Sequence, residues 1–252
     1  MALAGLFAPW LAPHDPYEVQ LEGRLEPPSP AHPLGRDAHG ADLLSRLIWG
    51  SRISLGVALA VVTLSATLGI ALGLVSGYYG GVVDTLLMRL VDILLAFPGL
   101  LLAIALVAVL GPALSNIVLA LAVLGWVSFA RLVRGQVLTV KERTYILAAK
   151  SAGQGDLAIL LRHVLPNVLS PVIVQATFGI ASVVLAESSL SFLGLGVPPG
   201  TPSWGAMLSE GRQVLFEAPH ISMIPGVAIL LVVLSANLLG DGLRERYDPR
   251  GG

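Results

Sequence analysis

The sequence predicts an all-α membrane protein that crosses the bilayer several times. Hydrophobic residues make up 55% of the 252 residues, and Asp, Glu, Lys and Arg only 12%, about half the roughly 25% of a soluble domain. No charged residue lies between Arg52 and Asp84, and none between Asp92 and Arg131. About 20 apolar residues span a bilayer as a helix, which satisfies its own backbone hydrogen bonds. This composition excludes a soluble globular protein and a disordered chain.

Several classes of function are excluded by the same composition. The net charge is −1, so no basic field attracts nucleic acid. Cysteine is absent, which removes thiolate nucleophiles and Cys-based metal sites. The five histidines have no ligand spacing, and no phosphate-binding loop or hydrolase motif occurs. We therefore expect a non-catalytic chain that binds no metal or cofactor and is surrounded by lipid.

The N-terminal part predicts three short segments. Met1–Ala12 is apolar but too short to span a bilayer. We expect it to be the end of a helix that begins earlier in a longer native sequence; a short interfacial anchor is the alternative. The six prolines of Pro13–Asp37 favour an extended external segment. Asp42–Trp49 has one apolar helical face and predicts an interfacial helix that leads into the next span.

Five complete spanning helices follow from the long apolar runs, with Pro98 as a kink in the second and Pro225 near the start of the last. The predicted spans are Ser54–Gly77, Leu86–Leu110, about Leu114–Val133, about Pro166–Ala186 and about Ile221–Leu243. Ser203–Leu215 predicts a short surface helix. The predicted domains are an N-terminal region (1–53), a transmembrane domain (54–243) and a cytoplasmic tail (244–252).

Two local patterns belong to these spans. Gly69, Gly73 and Gly77 recur every four residues, so they share one helix face and allow a second helix to approach closely. Arg89 and Asp92 lie three residues apart, which predicts an ion pair on a helix surface.

The distribution of Lys and Arg predicts the orientation. The segment between the third and fourth complete spans and the C-terminal tail are rich in these residues, and they lie on the same side of the membrane. That side should be cytoplasmic, with ten Lys and Arg residues against five on the outside. The Pro-rich segment and the 190–220 loop then face the exterior.

The loop 144–166 predicts two short helices at a sharp angle. Thr144 can cap a first helix that ends at Gly153, and Asp156 can cap a second, Leu157–His163. Pro166 then sits in the first turn of the next span. Their apolar surface lies on the water side, which favours either a protein partner or packing against the cytoplasmic ends of the chain's own helices.

One motif in the loop is the spacing Ala148-Ala149, three residues, Gly153, then Leu165-Pro166, which is similar to the Glu-Ala-Ala loop of ABC importer permeases. The other characteristic stretches are His32–Asp37, Asp42–Leu55, Arg89–Pro98, Arg162–Asn167, Glu187–Gly196 and Pro202–Gly205. Together these motifs resemble the C-type permease subunit of dipeptide, oligopeptide and nickel ABC importers. The match runs from about residue 7 onward, with Leu147 in place of the leading Glu.

This resemblance implies the type I ABC importer transmembrane fold, with five complete spans and a truncated first helix. It also implies a prokaryotic plasma (inner) membrane, a homologous second permease subunit, two ABC ATPase subunits that use ATP and Mg, and an external solute-binding protein. Conformational coupling would pass through the loop by alternating access. The coupling residues implied are Tyr145, Leu147, Ala148, Ala149, Gly153, Asp156, His163, Leu165 and Pro166.

The sequence leaves three questions open: the role of Glu187, the class of function and the substrate. Glu187 is either part of the pathway or outer gate, as intramembrane acids often are, or a capped or interfacial residue. The rival function is a self-sufficient secondary transporter, which predicts inverted repeats, broken helices and buried acids; a membrane enzyme ranks third. The substrate is a peptide or a related solute such as nickel, glutathione or an oligosaccharide.

Overall fold

The computed structural model describes residues 5–198 and 200–247, and the described residues form helices and no strands. Ten α-helices are numbered in chain order. They are α1 Ala8–Leu11, α2 Leu43–Tyr79, α3 Gly81–Leu95, α4 Gly99–Leu110, α5 Leu114–Val140, α6 Thr144–Ser151, α7 Asp156–Ile159, α8 Leu165–Phe192, α9 Trp204–Arg212 and α10 His220–Tyr247. The predicted all-α class is confirmed.

Four helical stretches of the described chain are long and apolar enough to cross a membrane, and the bent pair α3 and α4 gives up to five. The predicted number of complete spans is therefore matched. At most half of the most apolar part of each long stretch is buried within the chain, so much of its surface is left for lipid or for other subunits. Met1–Ala4 of the predicted first helix and Asp248–Gly252 of the predicted tail lie outside the described residues.

The first span differs from its prediction. The interfacial helix at 42–49 and the span at 54–77 form one continuous helix of 37 residues, α2. Gly50 and Ser51 do not interrupt it: the backbone stays helical through both residues, and the Ser51 hydroxyl donates to the carbonyl of Ile48 at 2.6 Å. The predicted boundary between residues 53 and 54 therefore falls inside a helix.

The second span is broken where a kink was predicted. Helices α3 and α4 meet at an angle of 85°. Pro98 has no N–H to donate, and its ring keeps Phe97 out of the helical conformation, so α3 ends at Leu95 and a new helix begins at Gly99. The predicted single helix Leu86–Leu110 is wrong in this respect.

The remaining spans are longer than predicted. The third continues to Val140, the fourth to Phe192 and the last to Tyr247. The short helix predicted at 157–163 is not separate: residues 156–192 form one helical stretch of 37 residues. It includes a single π-helical turn, Leu160–Val164. This wider turn ends at Val164, two residues before Pro166, which cannot donate a backbone hydrogen bond.

By contacts within the chain, the described residues divide into two compact units. The first comprises 5–60, 103–120 and 180–236, and the second 61–102, 121–179 and 237–247. In the first unit the buried Trp204 packs with Leu43 and Ile221, and its indole N–H donates to the carbonyl of Leu47 at 3.0 Å. The hydroxyl of Ser203 caps α9 by accepting from the amide of Ala206.

In the second unit the core lies between α2, α3 and α5. Val91, Trp126, Val127 and Ala130 form a buried cluster. The glycines predicted to allow close packing face α5: a Cβ on Gly73 would lie 2.7 Å from the carbonyl oxygen of Ala130. A Cβ on Gly77 would be equally close to Val137, and one on Gly69 would overlap Phe129.

Candidate functional site

The helix α6 forms the first half of the 144–166 loop. Its N-cap is Arg143 and no side chain caps it, so the predicted role of Thr144 as the cap is wrong. At the other end Gly153 has a φ of +80°. The amide of Gly153 donates to the carbonyl of Lys150 at 3.0 Å, and that of Gln154 to Ala149 at 3.1 Å. This is a Schellman motif, which ends a helix with a left-handed residue.

The outer surface of α6 carries the residues predicted to meet a partner. Tyr145 and Leu147 are 41% and 53% exposed, and Ala148 is also exposed. Ile146 is buried and attaches the helix to its own unit. The structure therefore leaves one apolar side of this helix uncovered by the described residues of its unit.

The second half of the loop is tied back to the first. The imidazole Nε2 of His163 lies 2.9 Å from the amide oxygen Oε1 of Gln154, so it spans the turn between α6 and the π-helical segment. Asp156 is the first residue of α7 and not its cap, which is Gly155. Leu165 is half-buried and Pro166 is exposed.

Two hydrogen bonds join the loop region to α2. The hydroxyl of Tyr78 donates to the carboxylate of Asp156 at 2.7 Å. The ammonium group of Lys141, which lies just before α6, donates to the carbonyl of Gly77 at 3.0 Å. Tyr78 and Lys141 also line a cleft of about 240 Å³ with Glu142 and Lys150.

Ion pairs link the helices of the second unit. The guanidinium of Arg134 binds both oxygens of Asp84 at 2.5 and 2.6 Å, and the hydroxyl of Ser76 donates to the same carboxylate at 2.5 Å. The predicted pair of Arg89 and Asp92 is wrong. Asp92 instead pairs with Arg131 at 2.7 Å, because α3 and α5 lie side by side there.

Glu187 lies in the first unit and is fully buried. The hydroxyl of Ser191, one turn further along α8, donates to its Oε1 at 2.9 Å, while Oε2 has no hydrogen-bond partner within the described residues. The side chains of Ser54 and Ser203 are also close to this carboxylate. Its assignment to the pathway or outer gate stays a prediction.

A second set of charges in the first unit was not predicted. The buried Arg46 pairs with Asp37 and binds Glu210 through two nitrogens, at 2.6 and 3.1 Å. These contacts join the Pro-rich segment, α2 and α9. No sequence signal identifies them, because Arg46 and Glu210 are 164 residues apart.

The histidines are less scattered in space than in sequence. The rings of His14 and His32 are 4.6 Å apart, and Asp42 completes a group that could hold a metal ion. Both nitrogens of His32 already have neighbours, however: Asp42 lies 3.0 Å from Nδ1 and Arg36 lies 2.7 Å from Nε2. The expectation that the chain binds no metal stays a prediction.

Comparison with known proteins decides the family. Residues 69–251 match the family described as binding-protein-dependent transport system inner membrane component. The chain belongs to this family. A dipeptide transport system permease protein, DppC, of Haemophilus influenzae is 46% identical over 99% of this chain and 87% of its own length. A glutathione transport system permease protein, GsiD, of Escherichia coli is 46% identical over 99% of this chain and 83% of its own length.

Solved structures agree on the fold. The methionine ABC transporter MetNI in an inward-facing conformation aligns with a TM-score of 0.63 at 17% identity, over 79% of this chain and 95% of that one. An amino acid ABC transporter with histidines aligns with a TM-score of 0.62 at 14% identity, over 81% and 94%. The predicted type I ABC importer transmembrane fold is confirmed.

Membership of the binding-protein-dependent family settles the main functional question. The chain is a permease subunit of an ATP-driven importer, a multi-pass protein of the inner membrane, and separate ATPase subunits hydrolyse the ATP. It works with those ATPases and with other transporter subunits. The broken helix pair α3 and α4 is a feature that the rival class of secondary transporters also has, but the family assignment sets that rival aside.

Proposed function

We propose that this permease subunit forms half of a translocation pathway for short peptides. The support is that the substrates of similar proteins share one chemical class. Two relatives 46% identical over nearly the whole chain are named for dipeptide and glutathione transport, and glutathione is itself a small peptide. A homologous second permease would form the other half. An external solute-binding protein would deliver the substrate.

The 144–166 segment is, in this proposal, the coupling loop that contacts one of two ATPase subunits. The observation that carries this is the uncovered apolar side of α6, on which Tyr145 and Leu147 are exposed. Apolar side chains exposed to water favour a protein partner. Leu147 stands where the family motif has Glu, so this contact would rely on apolar packing.

The chain itself would bind no cofactor in this scheme. ATP and Mg would be used by the partner ATPases, whose closure would displace the coupling loop. Such displacement does work only if the loop makes different contacts in the two states of the permease. Alternation between inward-open and outward-open states would follow.

Co-purification tests the proposed partners. The chain, tagged at its C-terminus and extracted in mild detergent, is expected to carry a second permease and two ATPases, identified by mass spectrometry. Reconstituted with the binding protein, the complex should take up dipeptides only when ATP is present. A chain that purifies alone and transports in liposomes without ATP would contradict the proposal.

Uptake of several solutes then tests the substrate class. With the same reconstituted complex, di- and tripeptides are expected to compete with each other for uptake, while nickel and an oligosaccharide should not compete. If nickel or the oligosaccharide competes and peptides do not, the peptide assignment is rejected and the importer assignment stays intact.

A further inference from the structure

Both ends of the segment that carries α6 are held by neighbouring residues of α2. Before α6, Lys141 donates to the carbonyl of Gly77 at 3.0 Å. After α6, Asp156 accepts a hydrogen bond from the hydroxyl of Tyr78 at 2.7 Å. The coupling loop therefore leaves and returns at one point of the fold, the last turn of α2.

This last turn is itself firmly held. Gly77 packs so closely on Val137 of α5 that even a methyl group at Gly77 would lie 2.7 Å from the Val137 Cβ. One residue earlier, Ser76 donates to Asp84, which is bound by Arg134 through two nitrogens. Close packing and paired charges make the end of α2 a firm attachment point for the loop.

The two links to the loop differ in what they transmit. Lys141 has a long flexible stem and bonds to a backbone carbonyl, so small movements of the loop can be absorbed by rotation within the side chain. Tyr78 has a rigid ring with two rotatable bonds, and its hydroxyl bonds to a carboxylate, which makes a stronger and more directional contact. Asp156 is the first residue of the helical stretch that continues into α8.

We propose that Tyr78 is a positioning residue for energy coupling: through its hydrogen bond to Asp156 it transmits displacement of the coupling loop to the end of α2. The inference rests on the proposed function of the loop. It adds a particular contact within the permease through which force from the ATPase reaches a spanning helix.

Removal of the Tyr78 hydroxyl tests this contact in the complete transporter. In the reconstituted complex, Tyr78→Phe is expected to lower the number of solute molecules transported per ATP hydrolysed by about fivefold, the lower end of usual coupling effects. The ATPase activity and the subunit composition should be retained. Tyr79→Phe is the matched control, because Tyr79 is the next residue of α2, its ring centroid lies 5.3 Å from that of Tyr78, and it is 55% exposed.

Changes at the acceptor complete the test. Asp156→Asn keeps an oxygen that can accept from Tyr78 but loses the charge, so its ratio should lie between those of the wild type and Tyr78→Phe, whereas Asp156→Ala should match Tyr78→Phe. The double variant Tyr78→Phe with Asp156→Ala should be no worse than either single change, as for two partners of one interaction.

Three results would overturn the proposal. One is an unchanged ratio of transport to hydrolysis in Tyr78→Phe; another is additive losses in the double variant. The third is a loss of assembled complex in Tyr78→Phe, which would mean that the hydroxyl serves stability alone. Failure of the wild-type chain to bind any ATPase is a separate result, since it would reject the function of the loop and this inference with it.

Discussion

Gly153 shows at the scale of one residue how backbone conformation determines a site. A Cβ at Gly153 would meet nothing within 4 Å, but the φ of +80° is one that residues with side chains rarely adopt. The requirement for glycine is therefore conformational and not steric. Gly155, two residues later, also has open space around it and has an ordinary φ of −68°.

This contrast gives a matched pair of substitutions. Gly153→Val should strain the turn by roughly 1–2 kcal/mol and reduce transport in the assembled complex relative to ATP hydrolysis. Gly155→Val should have a smaller effect, because Gly155 has an ordinary φ and only its role as the cap of α7 is lost. Gly153→Asn should also be milder than Gly153→Val, because Asn tolerates this conformation. Transport assays with purified complex check the order; equal effects at positions 153 and 155 would contradict the conformational argument.

Arg46 is the second residue-scale case, because it is a buried charge held by two carboxylates. Arg46→Ala should lower the free energy of unfolding by about 3–5 kcal/mol, because it leaves the buried Asp37 without a counter-charge. Arg52→Ala is the control: Arg52 is exposed on the same helix and lies 5.7 Å from the Trp49 ring. Thermal unfolding of the purified variants should show a large shift for the first and a small one for the second.

At the scale of helices, the three glycines of α2 determine how closely α5 can approach. The spacing of four residues places them on one face, and the structure brings the backbone of Ala130 against Gly73. Small residues at this spacing are the usual means of close helix packing in membranes. Because lipid tails are as apolar as the side chains, the hydrophobic effect does not drive helices together there, and close van der Waals contact does.

The packing predicts a position-specific cost within one helix. Gly73→Ala should lower the free energy of unfolding by about 1–3 kcal/mol, the usual cost of overpacking, because its Cβ would be 2.7 Å from the Ala130 oxygen. Gly56→Ala in the same helix meets nothing within 4 Å and should be neutral or slightly stabilising. A Gly56→Ala variant as unstable as Gly73→Ala would contradict the packing argument, because a Cβ at Gly56 meets no neighbouring atom and Ala is the better helix former.

At the scale of the whole molecule, the orientation predicted from Lys and Arg remains to be measured. The chain contains no cysteine, so a single introduced cysteine is the only thiol of this chain that a reagent can label. Ser29 in the Pro-rich segment and Ser151 at the end of α6 are both exposed. In intact cells an impermeant thiol reagent should label Ser29→Cys but not Ser151→Cys. Labelling only after permeabilisation is expected for Ser151→Cys, and the reverse pattern would invert the predicted topology.

The sequence by itself determined the class of the protein and pointed to the proposed coupling loop. Long uncharged stretches can satisfy their backbone only as spanning helices, and the spacing of Ala148, Ala149 and Gly153 carries the resemblance on which the proposed loop depends. Helix ends were predicted less well. Hydropathy reports where residues are apolar, whereas α2 and α5 extend past the apolar run for as long as their backbone hydrogen bonds continue.

Only the tertiary structure decided which distant residues meet. Asp92 pairs with Arg131 and not with Arg89, and Tyr78 meets Asp156 across 78 positions of sequence. Arg46 joins Asp37 and Glu210 in the same way. Such pairs depend on which helices lie side by side. That arrangement is set by contacts between residues far apart in the sequence, and the local periodicity of one helix does not reveal its neighbour.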